Sequence, residues 1–182
     1  MKSIVLFGDS HLGHFGWRWM SKLETELKNS IVYNCAAGGL NTRDGIRQAP
    51  FISKLKPDYV VLSFGGNDAA TWKDGVPIKE FKSNYNQITE RFRGSKIILF
   101  LPPPANDLKD VKGTRRYNES LSEYNELIRE ISKKRETGLI DSEKIYGKLL
   151  DKGKNYHEED GVHLNDAGYE ILIKELVKQI RK

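Results

Sequence analysis

The chain of 182 residues contains a single cysteine, Cys35, which excludes an internal disulfide and a metal cluster built on several cysteines. It also lacks an apolar run approaching the roughly 20 residues that a membrane-spanning helix requires. No apolar segment with a small-residue cleavage site follows Met1, so no signal peptide is visible. We therefore expect a cytoplasmic protein that does not insert into membranes.

Two glycine motifs are missing as well. No Gly-x-Gly-x-x-Gly follows the first predicted strand, which argues against a nucleotide site. The Gly-x-Ser-x-Gly turn is absent too, so the protein does not have the other common serine esterase fold. The 30 Lys and Arg residues are interleaved with 25 Asp and Glu residues, which is typical of a solvated surface. We expect no nucleic-acid partner.

Strand and helix signals alternate along the whole chain, which is the pattern of a doubly wound α/β sheet. This pattern predicts one domain over residues 1–182, with helices on both faces of a flavodoxin-like sheet. Thr42 is a predicted N-cap, Pro50 should kink or split the helix that follows, and Gly138 should cap the end of a later helix. The five parallel strands are predicted at residues 3–7, 31–33, 59–64, 96–101 and 139–140.

The motif Phe7-Gly8-Asp9-Ser10 closes the first apolar run and leaves a serine at the tip of a strand. Parallel sheets build their sites at the carboxyl ends of their strands. A serine hydroxyl becomes a nucleophile when a base removes its proton. We therefore interpret Ser10 as a nucleophile, although Asp9 and Ser10 could also simply cap a helix.

Four histidines could supply the base: His11, His14, His157 and His163. His163 has the most favourable context, because it lies just before a helix that Asn165 should cap. Asp160 stands three residues upstream in a turn that Gly161 tightens. At this spacing one carboxylate can reach the far nitrogen of the imidazole and hold its tautomer.

Acyl transfer also needs hydrogen-bond donors for the oxyanion that forms in the transition state. Asn67 and the glycines before it follow the third strand, and Gly38 and Gly39 follow the second. Each segment alone could be an ordinary turn. Because all of them are predicted at one edge of the sheet or before the last helix, their coincidence favours a catalytic site.

Four motifs in this order resemble the blocks of the SGNH (GDSL) hydrolases, essentially from end to end of the chain. They are Phe7-Gly8-Asp9-Ser10; Asn34 with Gly39 and Thr42; Gly65-Gly66-Asn67-Asp68; and Asp160 to His163 followed by Leu164-Asn165. The resemblance implies a three-layer α/β/α hydrolase without a metal or cofactor.

The same resemblance assigns roles to individual residues. Ser10 is expected to be the nucleophile, His163 the base and Asp160 the acid. The Ser10 N–H, the Gly39 N–H and the Asn67 side chain are expected to form the oxyanion hole. Asp9 and Asp68 are expected to support the loops, and His11, which follows the nucleophile, is expected in the wall of the pocket.

The substrate is the least defined part of the prediction. Phe15, Trp17, Trp72 and Tyr156 flank the catalytic segments, where they could stack on a sugar, line an acyl pocket or belong to the core. Short loops favour a short acyl group, such as acetyl on a small molecule or a carbohydrate. The alternatives are a lysophospholipase or acyl thioesterase, an acyltransferase with the same triad, and a non-catalytic binding module.

Overall fold

The secondary structure was obtained from a computed structural model, which describes residues 1–70, 74–106, 114–150 and 152–182. Its strands are β1 Lys2–Gly8, β2 Ser30–Asn34, β3 Tyr59–Ser63, β4 Lys96–Phe100 and β5 Gly138–Ile140. Its helices are α1 Ser10–Gly13, α2 Trp17–Leu27, α3 Thr42–Ile52, α4 Ile78–Arg91, α5 Thr114–Arg135, α6 Ser142–Leu150 and α7 Asp166–Arg181.

The five strands form one parallel sheet in the order β2-β1-β3-β4-β5. Parallel strands that are covered on both faces have nearly continuous apolar sequences, as β1 and β3 do here. The predicted five-stranded parallel sheet is therefore confirmed. The chain reverses its direction of winding between β1 and β3, which is where such sheets form their binding crevices.

Alternate residues of β1 supply the two halves of the core. Ile4 and Leu6 belong to a buried cluster with residues of α2 and α7, and Val5 and Phe7 belong to a second cluster with residues of α3, α4 and α5. This division follows from the two-residue period of a strand, which sends successive side chains to opposite faces. Helices thus cover both faces of the sheet, and the α/β/α architecture is confirmed.

Helix α3 differs from its prediction in two ways. Its N-cap is Asn41 instead of Thr42, because the Asn41 side chain and the N3 residue Asp44 form a reciprocal capping box. Pro50 does not split the helix, which continues to Ile52. The missing N–H of this proline costs one helical hydrogen bond, and only two residues of the helix follow it.

The region around β5 also differs from its prediction. Gly138 is the first residue of β5 and does not cap helix α5. The left-handed backbone after that helix belongs to Glu136, at φ 53°. Helix α6, which the sequence analysis does not predict, follows β5. Its few apolar residues do not form a long periodic stripe, and Tyr146 is its large fully buried side chain.

Three catalytic segments of the sequence follow strands that are direct neighbours. Leu6 of β1 pairs with Asn34 of β2, and Gly8 pairs with Ser63 of β3. Because the strands are parallel, the segments after β1, β2 and β3 all lie at one edge of the sheet. Within the described ranges, no helix is long and apolar enough to cross a membrane.

Candidate active site

Ser10 is the first residue of α1, directly after the carboxyl end of β1. Asp9 caps this helix, since its Oδ1 accepts a hydrogen bond from the His11 N–H at 3.0 Å. The Asp9 N–H donates to the Ser63 carbonyl on β3 at 2.9 Å. These bonds hold the backbone around Ser10 from both sides, while its side chain remains partly exposed.

Only glycine fits at position 8. A Cβ atom there would lie 2.0 Å from the Ser63 carbonyl oxygen, a backbone atom of the neighbouring strand. The close approach of β1 and β3 at this point sets the position from which Ser10 leaves the sheet. At Gly66 the restriction is milder, because a Cβ there would lie 3.2 Å from Oδ2 of Asp9, a side-chain atom.

His163 lies between Ser10 and Asp160. Its Nε2 is 2.9 Å from the Ser10 Oγ, and its Nδ1 is 2.5 Å from Oδ2 of Asp160. The other carboxylate oxygen of Asp160 accepts hydrogen bonds from the Val162 and His163 N–H groups at 2.8 and 3.0 Å. One carboxylate therefore holds both the backbone and the ring of the histidine.

Charge on Asp160 decides which tautomer His163 adopts. Burial raises the pKa of this carboxyl, but hydrogen bonds from the His163 ring and from the Val162 and His163 N–H groups outweigh burial and lower the pKa to about 2. The carboxylate is therefore ionised at neutral pH and accepts the proton of Nδ1. Nε2 then carries a lone pair that accepts the Ser10 hydroxyl proton.

The other three histidines are not part of this hydrogen-bonded series. The His11 ring is buried, and burial, followed by the charge of His163, lowers its pKa to about 3. His157 has its Nε2 2.8 Å from the Pro104 carbonyl. His14 is exposed, and its ring centroid lies 4.7 Å from that of His163. Burial and the charge of His163 lower the pKa of His14.

Asn34, from the second motif, holds the segment that follows Ser10. Its Nδ2 donates to the carbonyls of Leu12 and Phe15 at 2.8 and 3.0 Å. Gly39 is exposed and adopts a φ of 80°, in the left-handed region that favours glycine. The second motif thus contains one residue that positions the nucleophile segment and one glycine that allows a sharp turn beside it.

The third motif is bonded to the second in two places. The Asn67 Nδ2 donates to the Leu40 carbonyl at 2.8 Å, next to Gly39. The Asp68 Oδ1 accepts hydrogen bonds from the N–H and the hydroxyl of Thr42. Burial raises the pKa of the Asp68 carboxyl, although the hydrogen bonds from Thr42 lower it. Asn67 and Gly39 are thereby fixed close to each other.

Sequence reasoning missed one support of the site, the segment after β4. The Asn106 N–H donates to the Gly161 carbonyl at 2.7 Å, and His157 contacts Pro104. This segment therefore braces the turn that contains Asp160 and His163. The run Pro102-Pro103-Pro104 was a signal for a rigid segment at the carboxyl edge, but it did not indicate which loop it would contact.

Among the residues with a described placement, no three His, Cys, Asp or Glu side chains are arranged to hold a metal ion. The arrangement at the carboxyl edge consists instead of a serine, a histidine and an aspartate in one hydrogen-bonded series. With the α/β/α fold, it defines the class of the protein as a serine hydrolase-like α/β/α protein, and comparison with known proteins identifies the family.

The GDSL-like lipase/acylhydrolase family matches residues 6–171 of the chain. A solved structure of the lipase/acylhydrolase from Enterococcus faecalis has 25% sequence identity and a TM-score of 0.88, with 100% of this chain and 96% of that chain covered. The chain therefore belongs to the GDSL-like lipase/acylhydrolase family, whose members are esterase-type hydrolases. The resemblance inferred from the four motifs is confirmed.

Two sequence relatives are also similar. The uncharacterized lipoprotein YqeF of Bacillus subtilis is 26% identical over 212 residues, which cover 94% of this chain and 86% of YqeF. The isoamyl acetate-hydrolyzing esterase of Schizosaccharomyces pombe is 28% identical over 156 residues, which cover 79% of this chain and 59% of that protein. Because YqeF has the name of a lipoprotein, the cytoplasmic location of this chain stays a prediction.

Proposed function

We propose that the protein is a serine carboxylester hydrolase that removes short acyl groups, acetyl above all, through an acyl-enzyme intermediate. The observation that carries this proposal is the hydrogen-bonded series Asp160–His163–Ser10, with 2.5 and 2.9 Å between the polar atoms. The same geometry is what nucleophilic catalysis by serine requires.

In the proposed mechanism, the Ser10 Oγ attacks the ester carbonyl while its proton passes to Nε2 of His163. The Asp160 carboxylate stabilises the imidazolium. The Ser10 and Gly39 N–H groups and the Asn67 amide stabilise the oxyanion. His163 then gives the proton to the leaving alcohol oxygen, and water, activated by the same histidine, releases the acid and restores Ser10. Asp9 and Asp68 position the loops through their hydrogen bonds to His11 and Thr42.

Two observations support a short acyl group. The side chains of His163 and Asp160 are 27% and 42% exposed, so this part of the site is open to solvent. Among the described residues, the rings of His11 and His14 lie next to His163, and imidazoles offer little apolar surface to a long acyl chain. The S. pombe relative is named for the hydrolysis of isoamyl acetate, an ester with a short acyl group, and this name also favours a short acyl group.

Hydrolysis of p-nitrophenyl esters from acetate to palmitate tests the acyl preference. We expect kcat/KM to be highest for the shortest esters, because the described residues around His163 offer an added methylene group little apolar surface against which to be buried. A maximum at long chains would instead favour the lysophospholipase or thioesterase alternative. Faster release of p-nitrophenol with an added alcohol, together with a new ester product, would favour the acyltransferase.

Replacement of Asn67 by aspartate tests the oxyanion donor. The substitution keeps the shape of the side chain but removes its N–H groups, so we expect kcat to fall by on the order of 10²–10³ with little change in KM. Thermal unfolding measured in parallel should show a folded protein. A rise in KM at unchanged kcat would contradict the proposed role, since it would indicate a group that binds the ground state and transition state equally.

A further inference from the structure

Of the four aromatic residues that the sequence analysis names beside the catalytic segments, Trp17 is the one that the structure describes as exposed. Phe15 and Tyr156 are 0% and 1% exposed and belong to the core, whereas Trp17 is 80% exposed. Trp72 lies outside the described residues. An indole is among the most apolar side chains, and full exposure to water leaves its large flat surface without a partner. The core interpretation of Trp17 is therefore wrong.

The segment that carries Trp17 contacts residues 163–166 on both sides of Trp17. Three residues before it, His14 places its ring 4.7 Å from that of His163. The next residue, Arg18, forms an ion pair at 2.8 Å with Asp166, in the first turn of α7, three residues after His163. Trp17 therefore lies at the rim of the site, between two contacts to the same loop.

The backbone at Trp17 is also held in place. Trp17 opens helix α2 directly after its N-cap Gly16, and the Phe15 carbonyl two residues earlier accepts a hydrogen bond from Asn34. The Gly16 N–H donates to the His14 carbonyl at 2.8 Å. A ligand that stacks on this indole does not need to order the backbone first, which lowers the entropic cost of binding.

The contacts on either side of Trp17 involve charged side chains. Arg18 pairs with Asp166, and the carboxylates of Asp160 and Glu158 favour the charged form of the His14 ring. A long acyl chain would require further apolar groups here, and these described contacts are made by charged and imidazole side chains instead. A sugar ring combines an apolar face, suited to an indole, with hydroxyl groups that hydrogen-bond to charged side chains.

We propose that Trp17 is the stacking platform for a sugar ring, so that the substrate of the proposed esterase is an O-acetylated carbohydrate. The inference rests on the proposed function and adds the alcohol part of the ester. Three carboxylates, those of Glu158, Asp160 and Asp166, lie around this segment, and the Arg18 guanidinium is paired with the last of them. This excess of negative charge favours a neutral sugar over an anionic one.

The experiment compares Trp17→Ala and Trp17→Phe with wild type on acetylated xylo-oligosaccharides and on p-nitrophenyl acetate. We expect Trp17→Ala to lower the ratio of kcat/KM for the oligosaccharide to that for p-nitrophenyl acetate by roughly tenfold, mainly through KM. Trp17→Phe should retain most of this ratio, because a flat ring remains. Acetylated oligogalacturonides, which are anionic, should be poorer substrates than the neutral sugars.

Phe51→Ala is the matched control. Phe51 is 69% exposed on the last turn of α3, at the opposite end of that helix from Thr42, so its removal should leave the ratio unchanged. A ratio that is the same in wild type and Trp17→Ala would overturn the inference. So would a change from dimer to monomer on sedimentation of Trp17→Ala, which would make Trp17 a contact between copies.

Failure of the proposed function would look different. If wild type does not hydrolyse p-nitrophenyl acetate, the esterase itself is wrong. If wild type hydrolyses p-nitrophenyl acetate but none of the acetylated sugars, the esterase stands and the carbohydrate platform is wrong.

Discussion

Ser10→Ala should lower kcat for p-nitrophenyl acetate by on the order of 10⁵–10⁶, which is the scale of losing the nucleophile in a serine triad. The reason is direct, because the Oγ that lies 2.9 Å from Nε2 of His163 is the atom proposed to attack the carbonyl. Alanine offers no atom that can form the acyl enzyme. Initial rates of p-nitrophenol release, corrected for the spontaneous reaction, measure the effect.

The control for this variant is its stability. Ser10 is partly exposed, and its removal leaves no cavity in the core, so the denaturation midpoint should stay close to that of wild type. His163→Ala should be impaired to a similar degree, since the two residues act as a unit. Substantial hydrolysis by Ser10→Ala would refute the proposed nucleophile and reopen the interpretation as a non-catalytic binding module.

A fluorophosphonate probe distinguishes these outcomes independently of turnover. Wild type should become covalently labelled, with the added mass on the peptide that contains Ser10, and His163→Ala should be labelled far more slowly. Failure of the folded wild type to react would favour the binding module, because an unactivated serine is a poor nucleophile.

Gly8→Ala should have the largest effect on stability. The added Cβ would stand 2.0 Å from the Ser63 carbonyl oxygen, which also accepts the Asp9 N–H. Neither strand can move away without breaking the pairing at the centre of the sheet. We expect the free energy of unfolding to drop by about 3 kcal/mol or more, with most of the protein lost from the soluble fraction.

Gly147→Ala is the matched control for this prediction. Position 147 lies in α6, where a Cβ would meet nothing within 4 Å. Alanine is the better helix former by about 1 kcal/mol, so this variant should be as stable as wild type or slightly more stable. Urea unfolding followed by circular dichroism measures both variants. A Gly8→Ala protein as stable as Gly147→Ala would contradict the close approach of β1 and β3.

Local sequence signals were sufficient to predict features that depend on a single strand or helix. The apolar run Ile4-Val5-Leu6-Phe7 predicted a buried strand, and Asn165 predicted the start of α7, whose N-cap it is. The identity of one residue could not decide between Asn41 and Thr42 as the cap, because both are good cap residues. Asn41 forms the capping box with Asp44, while the N–H and hydroxyl of Thr42 bind the distant Asp68, a contact that no local signal indicates.

By itself, the sequence determined the α/β class, the order of the four motifs and the presence of Ser10 at a strand tip. Periodicity and turn residues are read one segment at a time, and these features follow from the segments taken in order along the chain. Only the tertiary structure decided that His163 faces Ser10, that His157 instead braces Pro104, and that Trp17 is exposed while Phe15 is buried. The physical reason is that a side chain's partner depends on which elements pack over it, and packing joins residues as far apart as 10 and 163.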